Sequence, residues 1–157
     1  GGGDWNKNRI IPDIVHSLKS KKSIKVRNPG SVRPWQHVLD PLTGYLMMAA
    51  NQSSSKGNYI DSFNFGPDKK EHLQVKEIVE LAISFWGSGS WEDCSSKENL
   101  HEAEVLKLDT SLAEKKLGWV SKLSAKEAVE WTLGWYLADK ENQINIVETQ
   151  IRNYFVR

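Results

Sequence analysis

Two arginines bracket a tight turn in the run Arg27-Asn28-Pro29-Gly30-Ser31-Val32-Arg33, and Trp35 follows. A guanidinium fork on a loop suits bidentate phosphate binding, so Arg27 and Arg33 together could hold a diphosphate. They stand apart from Lys19, Lys21, Lys22 and Lys25, which share the cluster and read as a solvated face. Aromatic residues among basic ones also suit single-stranded nucleic acid. Twenty-one basic against 20 acidic residues leave a net charge of +1, so no nucleic-acid partner is expected. Tyr136 and Lys140 carry the Y-x-x-x-K spacing of a phenol acid/base and its helper. Tyr136 lies on an apolar stripe, however, and reads as a core tyrosine. Ser53 and Lys56 match S-x-x-K inside a Ser-rich loop, which is composition rather than chemistry. The four histidines (His16, His37, His72 and His101) form no H-E-x-x-H and no Cys/His spacing for zinc, so no metal is expected. No G-x-G-x-x-G is present, so no dinucleotide cradle and no catalytic residue is assigned.

These side chains must be placed by elements the sequence also encodes. Ile10, Ile11, Ile14, Val15 and Leu18 recur at helical spacing, with Pro12 in the first turn. Ile24 to Arg27 alternates as a short strand before the Asn-Pro-Gly turn. Asp40-Pro41 reads as an N-cap and N1 pair for a helix to about Asn51. Ser62-Phe63-Asn64-Phe65 reads as a second strand, with an apolar face that something must cover. Val75 to Trp86 is an amphipathic helix stopped by Gly87, and Ser88 to Asn99 reads as a loop. Glu104 to Leu108 reads as a third strand. A short helix follows Asp109 or Thr110 and ends at Gly118. Ser124 and Glu127 form a capping box for the next helix, and a last one runs through Ile144, Val147, Ile151, Tyr154 and Phe155. The alternation predicts an α/β fold with parallel pairing, three short strands and five to six helices.

A chain of 157 residues suffices for one domain, here residues 1–157, and could bury roughly 70% of its unfolded surface. One cysteine, Cys94, rules out an internal disulfide framework and fits a reducing compartment, so a cytoplasmic location is expected. No apolar run approaches membrane-spanning length. The opening Gly-Gly-Gly is either an appended remnant or a loop where backbone must approach closely. Seven tryptophans are many for this length.

Taken in order, Gly1-Gly2-Gly3-Asp4-Trp5, Arg9-Ile10-Ile11-Pro12-Asp13, Ile24-Lys25-Val26-Arg27-Asn28-Pro29, Arg33-Pro34-Trp35-Gln36-His37-Val38-Leu39, His101-Glu102-Ala103, Leu108-Asp109 and Leu117-Gly118-Trp119 resemble the CDP-glucose 4,6-dehydratases. These are extended short-chain dehydrogenase/reductase enzymes. The resemblance covers nearly the whole chain and implies the C-terminal, nucleotide-sugar-binding part, with the N-terminal Rossmann part absent. It implies an NAD-dependent lyase of deoxysugar biosynthesis as parent, with NAD bound mainly outside these residues. It also implies that the isolated chain is inactive. On this resemblance Arg33 holds the diphosphate, with Arg27 as a substitute second arginine. Arg9, Ile10 and Pro12 belong to the stretch that lies against the base, and Ile24 and Val26 sit on the strand that flanks it. Asn64 lies near the phosphates, and His101 and Glu102 help select the CDP branch. Ser121 departs from a proline common in the family. The glycine triplet becomes native sequence at a fragment boundary. Trp5, Trp35 and Trp119 fall in family motifs, Trp86, Trp131 and Trp135 fall on helices, and Trp91 has no assigned place. The expected partner is a CDP-sugar, with no membrane, and with either a homo-oligomer or association through the exposed sheet edge at Phe63. The alternatives are a ligand-free interaction module descended from such an enzyme, or part of a related nucleotide-sugar epimerase or reductase.

Overall fold

The computed structural model describes residues 1–54, 61–96 and 103–157. Helix α1 (Ile10–Lys19) forms where apolar residues recur on one face, and Pro12, Ile14, Val15 and Leu18 are buried. Strand β1 (Ile24–Val26) alternates buried, exposed, buried. Helix α2 spans Leu39–Ser54 and α3 spans Val75–Trp86, with a 3-10 turn at Lys69–Glu71 between them. Strand β2 (Trp91–Asp93) pairs with β1 in parallel, Ile24 opposite Trp91 and Val26 opposite Asp93. Helices α4 (Ser111–Leu117), α5 (Ala125–Leu137) and α6 (Gln143–Phe155) complete the order. The capping box at Ser124 and Glu127 is formed, and Glu127 also accepts from the Ser124 amide at 2.9 Å. The expected stops at Gly87 and Gly118 both hold, each in the left-handed region.

The chain is α/β with six α-helices and a two-stranded parallel sheet among the described residues. Two of the expected strands are not strands, and one expected loop holds a strand. Residues 62–65 form no strand. Residues 104–108 make a single bridge, Val105 to Val32. Trp91–Asp93, expected as loop, is the partner of β1. Trp91 packs against the main core, which gives that tryptophan its place.

The main core joins α1, β1, α3 and α5 through Ile14, Ile24, Ile78, Val79 and Leu133, all fully buried. A second cluster holds Phe65, Ala113, Leu117 and Trp119. The expected bare strand face at Phe63 is therefore covered: Phe65 is 7% exposed and Phe63 is half-buried. The covering depends on Gly44 of α2. A Cβ there would stand 2.5 Å from the Phe65 ring, so any side chain would lift the helix off the cluster.

Asp40 ties these parts together. It sits inside the first turn of α2 and is fully buried. Its carboxylate does not cap its own helix. It accepts from the Lys122 amide at 2.9 Å, the Ser121 hydroxyl at 3.1 Å and the Tyr154 hydroxyl at 2.7 Å. Its carbonyl accepts from the Trp119 indole at 3.0 Å. One carboxylate thus joins α2, the 119–123 connection and α6. Burial pushes the Tyr154 phenol up, so it stays a donor. Removing the carboxylate leaves buried donors unpartnered, each costing about 1–3 kcal/mol. Asp40→Ala is expected to lower stability by about 3 kcal/mol or more, and Tyr154→Phe by about 1–2, in urea denaturation.

His37 is 2% exposed and lies edge-on to the Trp131 ring, centroids 5.7 Å apart. Its Nδ1 accepts from the Leu39 amide at 3.3 Å. Burial pushes it down to about 4. An unfolded imidazole titrates at about 6.5. Above pH 6.5 both states are neutral and the contribution to stability is complete. Between pH 6.5 and 4 the unfolded chain binds a proton that the folded chain refuses, so stability falls with pH. The urea midpoint should drop between pH 7.5 and 5, and His37→Gln should flatten that drop.

Candidate functional site

A cavity of about 220 Å³ opens where the chain start meets α1 and α5. Arg9, Ile10, Ile11 and Pro12 line one side, Trp35 and Gln36 another, and Ala128, Thr132 and Tyr136 of α5 the third. Its walls are mainly apolar. The Arg9 guanidinium pairs with Asp4 at 2.8 Å. The bond from Arg9 and the Asn6 amide hold the Asp4 carboxyl below the usual range, with the Asn6 amide contributing most. Asp4 is in turn placed by α5, because the Tyr136 hydroxyl donates to the Asp4 carbonyl. The Trp5 ring stands edge-on to Tyr136 at 4.9 Å.

The opening glycines explain how this loop reaches α5. A Cβ at Gly2 would lie 2.1 Å from the Trp135 ring, and Gly3 has φ +94°. The close approach expected of the triplet is therefore to a tryptophan of the same chain. Tyr136 is 1% exposed, and burial raises its pKa. Lys140 lies beyond the end of α5, so the Y-x-x-x-K match does not form a helical pair.

Arg33 stands on the connection between β1 and α2. Its Nη1 donates to the Val32 carbonyl at 2.9 Å and the Ala103 carbonyl at 2.8 Å. The backbone runs alongside: the Val32 amide donates to Glu104 at 2.8 Å and the Leu106 amide to Val32 at 3.0 Å. Arg33 thus clamps residues 103–106 onto residue 32. The Trp35 indole donates to the Leu73 carbonyl at 2.9 Å and fixes the next step of the loop.

The remaining expected residues are spread more widely. Arg9, Ile10 and Pro12 share the cavity, and Arg33 is not among its lining residues. Arg27 is exposed and has no ion-pair partner among the described residues. Ile24 and Val26 are 0% and 1% exposed and serve the core. Alternation turns both inward and only Lys25 outward. Asn64 is exposed, and its side-chain amide reaches the Asp109 carbonyl at 3.4 Å. His101 and Glu102 lie outside the described residues. The sequence reading missed Asp4, Thr132 and Tyr136 as cavity residues. Only Tyr136 carried a signal, its place on an apolar stripe.

A dinucleotide would need free amides at a strand-to-helix junction. The start of α3, which packs on the turn after β1, does not offer them. The Val75 amide at the start of α3 donates to Ser31, and the Lys76 amide to Pro29. The Gln74 side chain takes the next amide in a capping box. The start of α3 therefore offers no such cradle. No group of three or more metal-ligating side chains occurs among them. No described helix is long and apolar enough to cross a membrane.

No family model matches the chain. Its fold is that of part of the Rossmann-type short-chain dehydrogenase/reductase enzymes. A dTDP-glucose 4,6-dehydratase from Bacillus anthracis, in complex with NAD, superposes with TM-score 0.70 at 19% identity. The match covers 93% of this chain and 44% of that one. A UDP-glucose 4-epimerase from Thermotoga maritima, with UDP-glucose, gives TM-score 0.63 at 17% identity over 84% of this chain and 40% of its own. Sequence narrows the class. The chain is 38% identical to CDP-glucose 4,6-dehydratase of Salmonella typhimurium over 138 residues, which is 88% of this chain. The chain spans 38% of that enzyme's length.

The clamp by Arg33 has a measurable consequence. Arg33→Ala should speed hydrogen exchange at the Leu106 amide at least tenfold, with little change at α5 amides. Equal protection in both proteins would show that the backbone bridge holds without the guanidinium.

Proposed function

We propose that this chain supplies the part of a CDP-glucose 4,6-dehydratase that holds the CDP half of its substrate. The observation that carries this reading is the 38% identity to CDP-glucose 4,6-dehydratase over 88% of the chain. The geometry supports it. A mainly apolar cavity beside Ile10, Pro12 and Trp35 suits a flat base. Arg33 is held rigidly on a loop, as a group aimed at a diphosphate needs to be. The Arg33 side chain also secures residue 103, so a phosphate bound there would stabilise the same connection.

The chemistry of dehydration falls to the rest of the enzyme. On this reading NAD, held by a part of the protein outside these residues, would supply the redox chemistry. Tyr136 is committed to the Asp4 carbonyl and Lys140 lies off the helix, so neither serves as the acid/base pair. The isolated chain binds and does not convert.

Calorimetric titration with CDP-glucose, UDP-glucose and dTDP-glucose tests the reading. CDP-glucose should bind weakly but more tightly than the other two, with no turnover when NAD is added. Arg33→Lys should weaken that binding by about 1–3 kcal/mol, or roughly 5- to 150-fold. Binding of UDP-glucose alone would assign the chain to a related epimerase. Absence of heat with all three would favour an interaction module without a ligand.

A further inference from the structure

Helix α6 carries an apolar stripe beside the face that seats it. Three bonds fix that seat. Tyr154 is 1% exposed and donates to Asp40, the Gln150 side chain donates to the Trp131 carbonyl at 2.7 Å, and Arg157 pairs with Glu127 at 2.7 Å. Tyr154 is the one buried residue of the helix. Ile144, Val147, Ile151 and Phe155 recur at i, i+3, i+7 and i+11, which makes one stripe along a straight helix. They are 71%, 42%, 39% and 59% exposed. Single exposed apolar residues are ordinary, but four in line mark an interaction surface.

The charges beside the stripe say what fits it. Glu148 and Arg152 are exposed and form no ion pair among the described residues. Both lie on the flank of the stripe away from Gln150 and Tyr154, as the helical repeat of 3.6 residues requires. When two identical helices pair antiparallel, each flank meets the same flank of the other. A two-fold axis between Thr149 and Gln150 then sets Ile144 against Phe155 of the second copy and Val147 close to its Ile151. The same axis brings Glu148 of each copy to Arg152 of the other, so the pair forms twice. A parallel pairing would instead set this flank against the side of α6 that Gln150 and Tyr154 already use.

We propose that α6 pairs antiparallel with α6 of a second copy of this chain. The order of charge along the helix is complementary to itself, so a copy supplies the matching partner by symmetry. The helix has 13 residues. At about 20 Å long it makes a contact smaller than a standard interface, so the dimer is weak. The pairing needs no nucleotide and stands independently of the functional reading above.

Sedimentation velocity of the full chain, from about 1 to about 200 µM, tests the pairing over the range of a weak interface. The chain should pass from monomer to dimer as concentration rises. Glu148→Arg alone and Arg152→Glu alone each set like charges face to face twice, and each should weaken the dimer at least about tenfold. Both positions are exposed, so the melting temperature of the monomer should stay within about 2 °C. The two single variants mixed in equal amounts should form a heterodimer, and Glu148→Arg combined with Arg152→Glu should restore the homodimer. A chain that stays monomeric throughout overturns the pairing and leaves the stripe to a different partner. A dimer indifferent to both reversals places the contact elsewhere and overturns it as well. A dimer weakened by each reversal, but restored neither by mixing nor by the exchange, rules out the antiparallel arrangement.

Discussion

A single buried carboxylate organises half of this molecule. Asp40 receives donors from Ser121, Lys122 and Tyr154, and its carbonyl receives the indole of Trp119. A charge taken out of water at such depth is tolerable only when its lone pairs are used. Here the donors come from segments far apart in the chain, so the carboxylate is solvated only if α2, the 119–123 connection and α6 are all in place. The second cluster, with Trp119 edge-on to Phe65 at 4.9 Å, hangs from the same point. The apolar packing of that cluster is modest in size. Its position is set by polar bonds at its edge.

The loop from β1 to α2 is positioned from both sides. On one side Val32 bridges to both Gln74 and Val105, and the Ser31 carbonyl accepts from the Val75 amide. On the other, Gln36 donates to the Phe65 carbonyl at 2.8 Å, and His37 and Asp40 lock the start of α2. Arg33 therefore projects from a backbone with little freedom. A guanidinium held this way loses less entropy on meeting a ligand than one on a free loop. That is the physical case for Arg33 over Arg27, which stands exposed on the other side of the Asn-Pro-Gly turn.

Much of the helical frame was legible because its signals are local. The apolar period of α1 and α3, the box at Ser124 and Glu127, and the stops at Gly87 and Gly118 each lie within a few residues. The strands were less legible. Residues 62–65 do alternate, with Phe65 buried and Ser62 and Asn64 exposed, yet a ladder needs a neighbour that the local sequence does not encode. Trp91–Asp93 shows the converse: three residues without a clear pattern become a strand because Ile24–Val26 lies beside them. Asp40 looked like a helix cap because the residue type and Pro41 fit one. Its real partners are about eighty residues on in the chain and were invisible locally. The cavity was legible only at Arg9, Ile10 and Pro12. Its other wall is α5, and only folding brings α5 against the first residues.

The parallel pairing of β1 with β2 also bears on how the chain reaches this state. Residues 27–90 lie between the two strands, and they hold both α2 and α3. Closing so long a loop costs entropy that three residue pairs of backbone bonds repay poorly. Helices α2 and α3 form from local contacts, whereas the ladder waits until α3 has brought Trp91 back to Ile24. The sheet is thus a non-local element that depends on α3 for its closure. Its brevity, three residues a side, makes it a seal on a helical frame rather than the nucleus of the fold.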